Sequence, residues 1–83
     1  MSKKICLYAL STCIHCRNTK EFLDDNKIEY ICFEVDKLQG EERERVIAEI
    51  RKVNPRLSFP TLLIDDQVIV GFKKDEIEEA LKS

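Results

Sequence analysis

Glycine and proline are scarce in this sequence, two of each in 83 residues, and no segment is of low complexity. With 43% hydrophobic and 36% charged residues, that scarcity excludes a disordered chain and describes one compact soluble domain. The domain is expected to span 1–83, because so short a chain seldom divides into two units that each bury a core. Long apolar runs are missing too. The stretch Ile5-Cys6-Leu7-Tyr8-Ala9-Leu10 is six residues, whereas a membrane-spanning helix needs roughly 18. An excess of one charge is also lacking. Fourteen Lys and Arg against sixteen Asp and Glu leave a net charge of −2, so neither nucleic acid nor an anionic membrane is an expected partner.

Cysteine, in contrast, is plentiful: four residues, Cys6, Cys13, Cys16 and Cys32. In a secreted chain this count would suggest a disulfide framework, so the compartment decides its meaning. Lys3-Lys4 resembles the start of a signal peptide, but the apolar run behind it is short and ends in Ser11-Thr12-Cys13 without a small-residue cleavage site. The expected location is the cytoplasm, where paired cysteines are catalytic, redox-sensing or metal-binding.

Hydrophobic patterning divides the chain into seven elements. Residues 4–10 and 30–35 read as strands, with a helix over 14–26 between them, so a parallel right-handed crossover is expected. In that helix Ile14, Phe22 and Leu23 are expected to share the buried face, and Ser11 or Thr12 to cap its start. A second helix covers 41–53 with Val46, Ile47 and Ile50 as its apolar stripe. Residues 61–64 and 68–70 form a hairpin around Asp65-Asp66-Gln67, and a last helix over 74–82 buries Ile77, Ala80 and Leu81. The order βαβαββα defines an α/β domain.

Cys13-Ile14-His15-Cys16 is a C-x-x-C motif between the first strand and the first helix. A thiolate at a helix start is stabilised by unpaired backbone N–H groups and by the positive end of the helix dipole, and a cysteine three positions on can close a disulfide with it. Cys13 is therefore expected to be the exposed nucleophile and Cys16 the buried resolving thiol. His15, Arg17 and Lys20 add positive charge nearby. The same spacing also supplies half of many zinc sites, but no second half is evident, since Cys6 and Cys32 lie in core strands. There they serve as small hydrophobes. No metal ligands are assigned.

From these residues the chain resembles the glutaredoxin family over nearly its whole length. Ser11-Thr12-Cys13-Ile14-His15-Cys16 stands where the family has its active-site motif. Ser58-Phe59-Pro60-Thr61 resembles its Thr-Val-Pro segment, whose proline is cis, and Val70-Gly71-Phe72-Lys73-Lys74-Asp75 occupies the place of its Gly-Gly-x-x-Asp segment. The resemblance implies a thioredoxin fold, a four-stranded mixed sheet flanked by three helices. It also implies dithiol–disulfide oxidoreductase activity on protein or glutathione mixed disulfides, with no tightly bound cofactor and glutathione as co-substrate. Cys13 and Cys16 are the implied catalytic pair, and Thr12, His15, Phe59, Pro60, Gly71 and Phe72 the implied substrate-binding residues. A monomer acting on disulfide-containing proteins is expected, with glutathione or thioredoxin reductase as its electron source. A module binding a metal or an iron–sulfur cluster is the alternative.

The departures from the family pattern concern substrate and potential. Ile14-His15 replaces the usual Pro-Tyr, and a cationic His15 beside Cys13 would favour the thiolate and make the couple more oxidising. Leu10 stands where a lysine would meet a glutathione carboxylate, and Phe72 replaces the second glycine. Gly71-Phe72-Lys73-Lys74-Asp75 is in this respect similar to the segment of the glutaredoxin-like hydrogen donors of ribonucleotide reductase, which accept electrons from thioredoxin reductase.

Overall fold

The chain alternates strand and helix because its branched runs are too short for helices and its longer segments carry apolar residues at helical spacing. A computed structural model describes residues 4–82; residues 1–3 and 83 of the expected domain lie outside them. The elements are β1 (Ile5–Ala9), α1 (Ile14–Asp25), β2 (Ile31–Glu34), α2 (Gly40–Val53), β3 (Thr61–Ile64), β4 (Gln67–Val70) and α3 (Lys74–Lys82), with one 3-10 turn at Val35–Lys37. The strands form one sheet in the order β2-β1-β3-β4. β1 runs parallel to β2 and antiparallel to β3, and β4 returns antiparallel to β3. This is the expected mixed sheet with three helices.

The central strands β1 and β3 are apolar on both sides because both faces of the sheet are covered. Ile5, Leu7, Ala9, Leu62 and Ile64 share one cluster with Cys16 and Leu23 of α1 and Ile77 and Ala80 of α3. On the other face Tyr8 is buried with Val35 and with Val46 and Ile50 of α2. The Tyr8 ring stacks on Phe33 with centroids 5.4 Å apart. Two helices therefore cover one face and α2 the other. Shaving Leu23 or Ile50, both fully buried, to alanine costs about 2–5 kcal/mol through lost burial and the cavity left behind.

Four local expectations need correction. Ile14 does not join the buried face of α1. It is 63% exposed, because the buried face of α1 runs through Cys16, Thr19 and Leu23, with Phe22 packed beside it. The cap of α1 is neither Ser11 nor Thr12 but Cys13 itself, which has extended backbone angles and accepts the Cys16 N–H on its side chain. The strand after the hairpin turn begins one residue early, at Gln67, which pairs with Ile64. Asp65 takes a positive φ of 53°, so two residues suffice for the turn.

Leu81, expected inside, is only half-buried. The thiols of Cys6 and Cys32 are half-buried and lie on opposite faces, Cys32 with the α1 cluster and Cys6 with the α2 cluster.

α1 ends as its sequence suggests, at Asn26, through paired capping bonds. Lys27 N–H donates to the Asp24 carbonyl at 3.0 Å and Ile28 N–H to the Leu23 carbonyl at 2.9 Å. Lys27 occupies the left-handed region there, with φ 56°, a position that glycine fills most readily.

Candidate active site

β1 ends at Ala9, and the chain turns at once into α1, which places Cys13 at the junction. The Leu10 backbone holds both cysteines. Its carbonyl accepts the Cys13 N–H at 3.2 Å, and its own N–H donates to Cys16 Sγ at 3.4 Å. Cys13 Sγ in turn accepts the Cys16 N–H at 3.3 Å. No acidic residue lies in the first turn of α1, so nothing of opposite sign on that turn offsets the positive end of the helix dipole at the sulfur.

The two thiols consequently differ. Burial pushes the Cys13 thiol up, but the Cys16 thiol and the N–H groups of Cys16 and His15 together outweigh it, and Cys13 falls below the ordinary thiol value. Cys16 is 1% exposed. Burial first, and then its position as donor to Cys13, push it up to about 12, against smaller opposing effects from the Leu10 N–H and Lys20. Cys13 is half-buried at the surface.

The Cys13 thiolate is supported by the Cys16 thiol and by the main chain of Cys16 and His15. His15 is exposed, and its carbonyl accepts from Thr19 Oγ1 at 2.9 Å. Among the described residues no hydrogen bond or ion pair engages its imidazole. Thr12 is likewise exposed.

The loop before β3 brings in the next residues. The Phe59–Pro60 peptide is cis, as the resemblance implied, and Pro60 is fully buried. Among the described residues no hydrogen bond engages the Phe59 backbone. Gly71 N–H donates to the Pro60 carbonyl at 2.8 Å, with Gly71 at φ 88°, which ties the segment after β4 to this loop. Phe72 then sets its ring edge-on to Phe22 of α1, centroids 6.1 Å apart, while Lys74 Nζ lies 5.8 Å from the Phe22 centroid. Cys13, Phe59 and Phe72 all pack, half-buried, against the same core cluster. Three distant segments thus meet at one end of the sheet.

Two supporting groups escaped the sequence analysis. Asn54, at the end of α2 and 6% exposed, directs its side-chain amide to the Ser58 carbonyl at 3.0 Å, Ser58 Oγ at 3.2 Å and Thr61 Oγ1 at 3.0 Å. Thr61 Oγ1 donates to the Ser58 carbonyl at 2.7 Å, so the network spans the residues on both sides of Phe59-Pro60. The signal was an asparagine closing a helix, with Ser and Thr flanking the next proline. The second group is Asp36, whose carboxylate accepts both the Ser11 N–H, at 2.9 Å, and the Ser11 hydroxyl. These bonds hold the loop before Cys13 and keep Asp36 below the usual carboxylate range.

A metal site was the alternative use of these cysteines. Among the described residues no three His, Cys, Asp or Glu side chains gather to hold a metal ion.

Comparison with known proteins agrees with this geometry. Residues 5–69 match the Glutaredoxin family model. The chain is 34% identical over 77 residues to an uncharacterized glutaredoxin-like 8.6 kDa protein in the rubredoxin operon of Clostridium pasteurianum, covering 92% of this chain and 95% of that one. It superposes on the crystal structure of the glutaredoxin from Methanosarcina mazei with TM-score 0.89 and 44% identity, over 96% of this chain and 79% of that one. Methanoredoxin from Methanosarcina acetivorans aligns similarly, with TM-score 0.90 and 42% identity, over 96% of this chain and 85% of that one. A C-x-x-C at the first helix start, a proline loop beside it and a family match across most of the sequence converge: the chain belongs to the glutaredoxin family of thiol–disulfide oxidoreductases.

Proposed function

We propose that the protein reduces disulfides in proteins, or mixed disulfides with glutathione, by a two-thiol cycle. Thiolate Cys13 attacks one sulfur of the substrate disulfide, the substrate S–S bond breaks, and the leaving thiolate takes a proton from solvent. Cys16 then loses its proton and attacks Cys13 Sγ. The mixed disulfide breaks, the second substrate thiol leaves, and a Cys13–Cys16 disulfide remains. Two electrons pass from the cysteine pair to the substrate. The observation that carries this reading is the contrast between the thiols: Cys13 at the surface and lowered, Cys16 buried and raised to about 12.

Thr12, His15, Phe59, Gly71 and Phe72 form the substrate-binding surface, and Pro60, buried beneath it, completes the substrate-binding set. The unpaired Phe59 backbone supports it, since an extended substrate segment could pair there as an added strand. Work as a monomer in the reducing cytoplasm suits such a cycle, and no helix among the described residues is long and apolar enough to cross a membrane. The test is Cys16→Ser, which leaves the first step intact and removes the second. It should accumulate a mixed disulfide on Cys13, while Cys13→Ser loses activity; full activity in Cys13→Ser would overturn the reading. Reducing the oxidised protein with glutathione plus its reductase, or with thioredoxin reductase, identifies the electron source.

A further inference from the structure

Lys20 is the charged residue that the two-thiol cycle leaves unused. It lies one turn beyond Cys16 on α1, and residues four apart share a helix face. Its side chain is 29% exposed, and its Nζ sits 3.8 Å from Glu34 Oε1 on β2. Glu34 stands across from Ala9 in the sheet register. Ala9 precedes Leu10, whose N–H donates to Cys16 Sγ. The fold therefore closes a ring through Cys16, Lys20, Glu34, Ala9 and Leu10, with the ammonium paired to a carboxylate.

The geometry points to Lys20 as a positioning residue for the second half of the cycle: its ammonium, anchored to Glu34 one helical turn from Cys16, favours the Cys16 thiolate as that sulfur attacks the mixed disulfide. The inference rests on the two-thiol cycle proposed above. A buried thiol surrounded by apolar side chains resists ionisation, and Cys16 has a single N–H donor on its sulfur, so a nearby positive charge has a distinct role. The Lys20 charge acts on both Cys16 and Cys32, favouring the ionised form of each against the larger effect of burial. Lys20 is not the base. The Cys16 proton goes to solvent. The other titratable groups around it are Cys13 at the helix start, Cys32 and Glu34 from β2, Asp24 farther along α1, and Lys37, which shares Glu34 at 3.5 Å.

The size of the effect follows from thiol chemistry. If losing the ammonium raised Cys16 by about one pKa unit, the thiolate fraction would fall about tenfold, while each thiolate became about threefold more nucleophilic. The net loss in rate is then about threefold at neutral pH.

The experiment mixes the reduced protein with one equivalent of dithiodipyridine and follows the two pyridinethiones released. The first release is bimolecular, as Cys13 attacks, and the second is unimolecular, as Cys16 resolves. In Lys20→Met the first rate should stay within twofold of the original and the second fall about threefold, with its pH profile displaced upward. Lys20→Arg should restore rate and profile, and Lys37→Met should leave both unchanged. Lys20→Gln serves as a second neutral variant if Lys20→Met folds poorly. A second-phase rate and profile unchanged in the neutral variants, or changed equally in Lys20→Arg, overturns the role of Lys20. A first phase that persists in Cys13→Ser overturns the cycle itself, and so the two failures are distinct.

Discussion

The backbone N–H of Cys16 donates to the Sγ of Cys13 at 3.3 Å, so the first cysteine of the pair caps the helix through the second. Backbone donors cannot be removed by changing a side chain, but the Cys16 thiol can. In Cys16→Ala the Cys13 thiolate loses one donor and keeps the N–H groups of Cys16 and His15. Its midpoint, followed by thiolate absorbance against pH, should rise from that of the original protein and remain below that of an ordinary thiol.

Asp36 makes the loop before Cys13 sensitive to acid. Its folded pKa is lowered by the Ser11 hydroxyl and N–H, so its contribution to stability is present above the unfolded carboxylate value, about 3.9. That contribution is lost as the pH falls through the lower folded value. Thermal melts should show Asp36→Ala less stable than the original protein near neutral pH, with the gap closing as the pH falls below about 4.

Asn54 holds both sides of Phe59-Pro60 through one buried amide. Asn54→Ala leaves Thr61 Oγ1 without its donor and removes the bonds to Ser58, a loss of about 1–3 kcal/mol. Denaturant unfolding should report that loss, and disulfide reductase assays should show KM rising more than kcat falls, because the loop and not the thiol pair is disturbed.

Much of the fold was legible because the apolar residues obey their local periods. Leu7 and Ala9 alternate in β1, and Val46 and Ile50 repeat in α2, each marking a face that must be covered. Cys13 and Cys16 were legible for the same local reason, a fixed spacing at a strand-to-helix junction. What escaped depended on partners remote in sequence or on where an element projects. Ile14 opens the helix off the face that Cys16, Thr19 and Leu23 bury, and is exposed. Asp36 and Ser11, 25 positions apart, meet only once β2 lies beside β1. The cap role of Cys13 was hidden behind Ser11 and Thr12, better cappers by residue type, of which Ser11 bonds Asp36 instead.

Two backbone positions test the folded geometry in opposite directions. At Gly71, φ 88° is strained for any side chain, although an added Cβ would meet nothing within 4 Å. Gly71→Ala should therefore destabilise by about 1–2 kcal/mol through conformation alone. Lys27 already carries a side chain at φ 56°, and Lys27→Gly should raise stability by about 0.5–1 kcal/mol in the same unfolding assay.

That Cys13 is the reactive thiolate can be read directly from competition among the four cysteines. The reduced protein is treated near neutral pH with a limiting amount of iodoacetamide, and the modified peptide is identified by mass spectrometry. Cys13 should carry the label well ahead of Cys6, Cys16 and Cys32, because its thiol is lowered by the donors around it at the helix start. Label appearing first on any of the other three would contradict it.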